Sequence, residues 1–235
     1  MNADEAKKML DKIVGQVFGY QNTLSLDQFM QKFAFDVRLP QQVYDSTDGS
    51  PTWASSTNPT KFITQEHART NETASSDGLY AKQPINNLQE LLDIWNRINL
   101  TTTERQIDCL NVAESDNIIK SENVYRSQDI RRSKNVLFSD GVEDSEFIAA
   151  SQRCGANSFC IRVEDSGECS NSFGVVWSTR ITNCLFIQDA ADMQDSMFCY
   201  NIKGKRFCVA NMQFTEEEYR KLRQEVVQWL LSPES

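Results

Sequence analysis

The sequence contains one histidine, His67, at the start of a polar stretch. A lone imidazole in such surroundings is read as an exposed side chain rather than a catalytic one. Seven cysteines occur without a single Cys-x-x-Cys pair. A zinc site wants paired ligands at short spacing, so no metal site is expected. No apolar run approaches the roughly 18 residues of a membrane-crossing helix. The opening residues Met1-Asn2-Ala3-Asp4-Glu5 lack the charged and apolar regions of a secretion signal. The sequons at Asn71 and Asn99 therefore carry little weight, and the cysteines are expected to be reduced thiols in a reducing cytoplasm. Positive charge is also short: 24 Lys and Arg face 33 Asp and Glu, for a net charge of −9. Phosphate backbones and anionic bilayers need a basic patch, so neither nucleic acid nor membrane is an expected partner. The one basic cluster, Arg131-Arg132 with Lys134, reads as solvated rim.

What the chain has in abundance is a periodic serine. Ser115, Ser121, Ser127, Ser133, Ser139, Ser145 and Ser151 fall at six-residue spacing. Three residues after each comes an apolar or thiol side chain: Ile118, Val124, Ile130, Val136, Val142, Ile148 and Cys154. Turn-formers precede the first five of these, at Asn117, Asn123, Asp129, Asn135 and Gly141. Neither a helix nor an ordinary strand has a period of six, whereas a β-solenoid does, each unit giving a short strand and a corner. Asn, Asp and Gly suit corners because they tolerate left-handed backbone at small cost. Buried serine hydroxyls must bond one another or the corner backbone, since each left unpaired costs about 1–3 kcal/mol.

After Cys154 and Cys160 the pattern shifts by three residues. The apolar slot becomes Val163, Cys169, Val175, Ile181, Ile187, Met193 and Cys199, and the small slot Ser166, Ser172, Ser178, Cys184, Ala190 and Ser196. The shift predicts a bulge or a longer corner loop near residues 155–163, where Gly155 and Asn157 fit one. If three units close one coil, the repeat makes nearly five coils of about 4.8 Å, a prism of roughly 23 Å.

The flanks read as helices and turns. Residues 1–84 hold a helical arm, a hairpin and a loop: an amphipathic helix over 3–18, a second from the capping box Ser25/Gln28, extended chain over 35–67, and a polar loop or linker over 65–84. The paired N-terminal helices serve either core packing or docking to a partner. Residues 85–114 are assigned to a cap, its helix capped by Asn86-Asn87 and striped by Leu88, Leu91, Leu92, Trp95 and Ile98. An uncapped solenoid would expose its core and its strand edge. The solenoid itself spans residues 115–199. Residues 200–235 are assigned to closure by a hairpin, whose pattern begins at Met197, and a helix from Thr215 with Glu218 as capping partner; Trp229 and Leu230 could instead dock a second subunit. The fold class expected is mainly β: a small solenoid of hexapeptide repeats capped by α-helices, with an α-helical N-terminal arm.

One hexapeptide solenoid, the left-handed β-helix of bacterial acyltransferases, looks similar but places its small residue two positions before the aliphatic one. Those enzymes resemble one another in using a histidine base, which residues 115–199 lack, so acyl transfer is not expected. The run from Phe198 to Tyr219, with its Lys203-Gly204-Lys205-Arg206 turn and Thr215-Glu216-Glu217-Glu218-Tyr219 helix start, follows serine-rich hexads. Together these resemble the ending of a poorly characterised group of β-solenoid proteins of tailed bacteriophages and uncultured bacteria. The likeness covers about residues 115–220, and Phe198 stands where that group usually has glycine.

The resemblance implies a structural component of a virion, such as a capsid, neck or tail accessory protein, assembled in the host cytoplasm. Its expected partners are other structural proteins of the particle and a second copy of itself, with no cofactor, no catalytic residue and no assigned ligand-binding residue. The alternative is a carbohydrate- or receptor-binding module using Phe173, Trp177, Phe186 and Asp189, for which plain core or rim packing is the simpler reading. A glycan-cleaving enzyme would need paired carboxylates, for example Glu143, Asp144 and Glu146, or Glu164, Asp165 and Glu168. Both groups fall at corners, where solvated charge is expected.

Overall fold

A computed structural model describes residues 1–58, 61–70 and 79–232. Strands pair in parallel at a spacing of twelve: Val124 with Val136 and then Ile148, Ile118 with Ile130, Asp140 with Gln152. One coil is therefore twelve residues, two hexads rather than three. From Gln106 to Gln213 this gives a solenoid of about nine turns. At about 4.8 Å per coil it is about 43 Å long, and the fold is mainly β as the sequence predicts.

The backbone repeats on an even finer grid. Left-handed residues fall at every third position, such as Asn117 (φ 61°), Lys120 (φ 49°), Asn123 (φ 56°) and Arg126 (φ 46°). The residue after each points inward, so every third side chain from Ser115 to Cys199 is buried. Only half of these corners carry the Asn, Asp or Gly that sequence reasoning expects. Arginine, phenylalanine, alanine, glutamate, lysine and tryptophan hold the others, against a cost of about 1–2 kcal/mol each. Bonds between coils offset it: Phe138 N–H donates to Tyr125 O at 3.1 Å, and Asn123 Nδ2 donates to Asn135 Oδ1 at 3.0 Å.

The inward side chains form four columns. Up to Cys154 the serine and aliphatic columns alternate around the coil. From Asn157 onward they exchange: Val163 and Val175 follow Ser151 in its column, and Ser166 and Ser178 follow Cys154. The pairing through this region is unbroken, with Gln152 opposite Glu164, Ser158 opposite Ser170 and Val163 opposite Val175. No residue is inserted, so the phase shift is a swap of side-chain chemistry and not a bulge. Two longer strands, Ser158–Glu164 and Ser170–Val176, span both old and new apolar columns there.

The hydroxyls bond the backbone, not one another. Ser127 Oγ donates to Tyr125 O at 2.9 Å and accepts from Ser139 N–H at 3.1 Å. Ser145 Oγ donates to Glu143 O at 2.8 Å and accepts from Asn157 N–H at 3.0 Å. Asn157 continues that column, its Oδ1 accepting from Cys169 N–H at 2.8 Å. This satisfies polar groups buried inside the coil.

The helices lie along one flank. Tyr125, Leu137, Ala149, Ile161, Phe173, Leu185 and Met197, twelve apart, form an apolar stripe on the outside of the solenoid. Helix α1 (Ala3–Phe18) lies across four successive coils of it, with Leu10, Ile13, Val14, Val17 and Phe18 fully buried. Helix α2 (Leu26–Phe33) follows, with the predicted Ser25/Gln28 capping box. Of the two uses foreseen for this pair, the structure takes core packing. Helix α3 (Gln65–Thr70) replaces the start of the predicted 65–84 loop, whose residues 71–78 lie outside the described residues.

The remaining helices depart from their expected places. Helix α4 (Leu88–Ile98) forms where predicted, but no residue of it is buried, so it does not cover the first coil. Residues 61–70 do part of that work: Phe62–Thr64 pairs with Thr101–Thr103, and Gln65 Oε1 accepts from Gln106 N–H at 2.9 Å. Helix α5 (Glu216–Leu231) keeps its Thr215/Glu218 box but packs beside α1, Arg223 donating to Val17 O and Phe18 O at 2.8 and 3.2 Å. Met197–Tyr200 is a solenoid strand, parallel to Leu185–Gln188, so the predicted hairpin shrinks to Cys208–Val209 against Met212–Gln213.

Candidate functional site

The best-formed concavity runs along the solenoid where the helical flank ends, with a volume of about 440 Å³. Its walls are two columns of the repeat. One carries Ala150, Arg162, Gly174, Phe186 and Phe198; the other carries Gln152, Glu164, Val176, Gln188 and Tyr200. Val163, Ile187 and Cys199 lie between them as the floor. Phe186 and Phe198 stack at 4.8 Å with planes 10° apart, and Trp229 of α5 stands 6.3 Å from Phe186. At Gly174 the wall has no side chain, and a Cβ there would come within 3.2 Å of Phe186 Cδ1. Arg162, between Ala150 and Gly174 in its column, is bonded to both carboxylate oxygens of Asp36 at 2.8 and 2.7 Å. That bond holds the Asp36 carboxyl below its ordinary range.

Of the four side chains named for saccharide binding, Phe186 alone lines this groove; Glu164, from the carboxylate groups, stands in the opposite wall. Phe173 is buried under Phe18 and Phe33, at 5.4 Å from each ring. Trp177 and Asp189 are exposed twelve apart in the neighbouring column. The readable signal for the rest was the column Gly174, Phe186, Phe198, visible only once the period is twelve.

The carboxylate groups are tied into ladders between coils. Arg132 grips Asp144 at 2.7 and 2.9 Å and also pairs with Glu143. Arg153 does the same for Asp165, at 2.8 and 2.9 Å, and for Glu164. The arginine bonds keep Asp144 and Asp165 ionised to lower pH than usual. Glu146 and Glu168 are exposed nearby. A glycosidase pair needs one carboxyl with a raised pKa to act as acid, and these ion pairs push the other way.

His67 is placed differently from the sequence reading. Its Nδ1 lies 2.8 Å from Asp45 Oδ2, and Asp45 also accepts from Thr47 N–H and Thr64 N–H at 2.7 Å each. Burial by itself would raise the Asp45 carboxyl, but these bonds outweigh it and hold the group far below the usual range. The Asp45 hydrogen bond in turn raises the His67 pKa. Asp48 Oδ2 is 4.0 Å from Nε2, so the three side chains lie within reach of one cation.

The buried thiols are inert by environment. Burial pushes Cys154 and Cys184 up to about 12 and Cys169 to about 11, far from the thiolate range. Outside the groove a large apolar surface lies on α4, where Leu88, Leu91, Leu92, Trp95 and Ile98 are 43–68% exposed. Ile107 and Leu110, at the rim of the first coil, are exposed too. No protein-family model and no curated protein matches the chain.

Proposed function

We propose that the protein is a non-enzymatic assembly element, a rigid spacer of a phage particle that sits in the capsid, neck or tail as an accessory protein. The observation that carries this reading is α4. An isolated eleven-residue helix is marginal in water, and its apolar stripe is left uncovered beside an open coil rim. Exposed apolar patches of this kind mark contact surfaces. The rest of the molecule suits a spacer, because each inter-coil bond is repeated at constant register and the flanking helices brace the stripe of Leu137, Ile161 and Leu185. The resemblance of residues 115–220 to phage solenoids adds the setting: a virion assembled in the host cytoplasm, with other structural proteins as partners.

The test is a double substitution, Leu91→Glu with Trp95→Glu. Both side chains are exposed, so the circular-dichroism spectrum and melting temperature should stay unchanged. Incorporation into purified particles, counted by mass spectrometry, should be lost. Normal incorporation of a folded double variant would overturn the proposal.

A further inference from the structure

The groove beside α2 contains no residue of α4 and is not used by the assembly reading. We propose that it binds an extended, uncharged saccharide chain of the β-1,4-linked kind. Its size falls within the range of small-ligand sites, about 300–1,000 Å³. It is straight, because each wall is a column with one side chain per coil. The coil step of about 4.8 Å is close to the length of one pyranose ring, so successive sugars would meet equivalent positions.

The wall chemistry selects the ligand. Phe198 is 44% exposed and stacks on Phe186 through one face. The next residue in its column is Ala210, too small to cover the other face. That leaves a flat apolar platform, facing along the column, suited to the C–H face of a sugar at that end of the groove. Across the groove, Gln152 and Gln188 offer amide donors and acceptors for hydroxyls. The charged residues are neutralised in place, Arg162 by Asp36 and Glu164 by Arg153. A strongly anionic ligand therefore finds no free cation here. A peptide adding itself as a strand is equally ill-suited, because the floor strands are already paired on both sides, Val175 with Val163 and Ile187, Ile187 with Cys199. Gly174 leaves the notch in which a substituent can sit.

Isothermal titration and NMR with cellohexaose and chitohexaose test this on the full chain, with maltohexaose, a curved α-linked chain, as control. At least one β-linked hexamer should bind, more tightly than its dimer. Phe198→Ala and Gln188→Ala should each weaken binding by about tenfold, while Leu91→Glu should leave it unchanged. Gln188 is exposed, so its variant tests the site even if Phe198→Ala disturbs the coil. No binding of either β-linked hexamer at millimolar concentration would overturn the inference. So would equal binding of maltohexaose, or affinity unchanged in both groove variants.

Discussion

Ser139 and Ser151, one coil apart, share a single hydroxyl link: Ser139 Oγ donates to Leu137 O at 2.8 Å and accepts the Ser151 N–H at 3.2 Å. The hydroxyl thus satisfies one buried carbonyl and one buried amide of the next coil. Ser139→Ala removes both bonds; Leu137 O keeps the Ala150 N–H at 3.0 Å, but the Ser151 N–H is left unpaired, which costs about 1–3 kcal/mol. Guanidinium titration should show a loss in that range, with Ser139→Thr closer to wild type in bonding but penalised by its extra methyl.

The flank of helices is expected to be indispensable to folding. Leu10 is fully buried against the stripe, and Leu10→Ala should cost about 2–5 kcal/mol. Deleting residues 1–35 should expose Leu137, Ile161 and Phe173 together and give an aggregating protein, read by light scattering. A soluble, monomeric truncation with native circular dichroism would contradict the packing described.

The Asp45–His67 link should make the turn at 45–50 pH-sensitive on both sides. Asp45 has a depressed pKa, so its contribution is present above the unfolded value of about 4 and fades as pH falls towards the folded one. His67 has a raised pKa, so its contribution is complete below the unfolded value of about 6.5 and is lost as pH rises through the folded one. Protection of the Thr64 amide against hydrogen exchange should be greatest between those two limits. His67→Ala should remove the decline on the alkaline side and leave the acid side in place.

Asn157 is the hinge of the column exchange. Its Oδ1 accepts from Cys169 N–H at 2.8 Å and its Nδ2 donates to Ser166 O at 3.3 Å. Asn157→Leu would orphan the Cys169 N–H, while Ser166 O keeps the Gly155 N–H at 3.4 Å, for a loss of about 1–3 kcal/mol in a denaturant titration. Asn157→Ser should be milder, because a hydroxyl at that grid position reaches the same N–H elsewhere in the solenoid.

Much of this architecture was legible because the inward grid is written in the sequence itself. Ile118, Val124 and Ile130 announce a dry interior, and Ser115 to Ser151 announce its small partners. The coil length was not legible, since a period of six is compatible with any whole number of units per turn. Nor was the exchange at Asn157: a three-residue shift looks like an insertion until the second set of inward positions is known. The groove was hidden for a related reason. Gly174, Phe186 and Phe198 belong to different hexads and meet only through a twelve-residue coil. The exposed stripe of α4 was plain in Leu88, Leu91 and Trp95, but a sequence cannot say whether a stripe is covered.

The twelve-residue closure also sets how such a gene can grow. Duplicating twelve codons within the regular region adds one rung and leaves every downstream face where it was. Duplicating six, the unit that looks like the repeat, carries everything downstream half-way round the axis. The apolar stripe that carries the helices would then be broken, its two parts on opposite sides of the rod. Natural length variants of this architecture should therefore differ by whole rungs, and a six-codon change should survive only near an end.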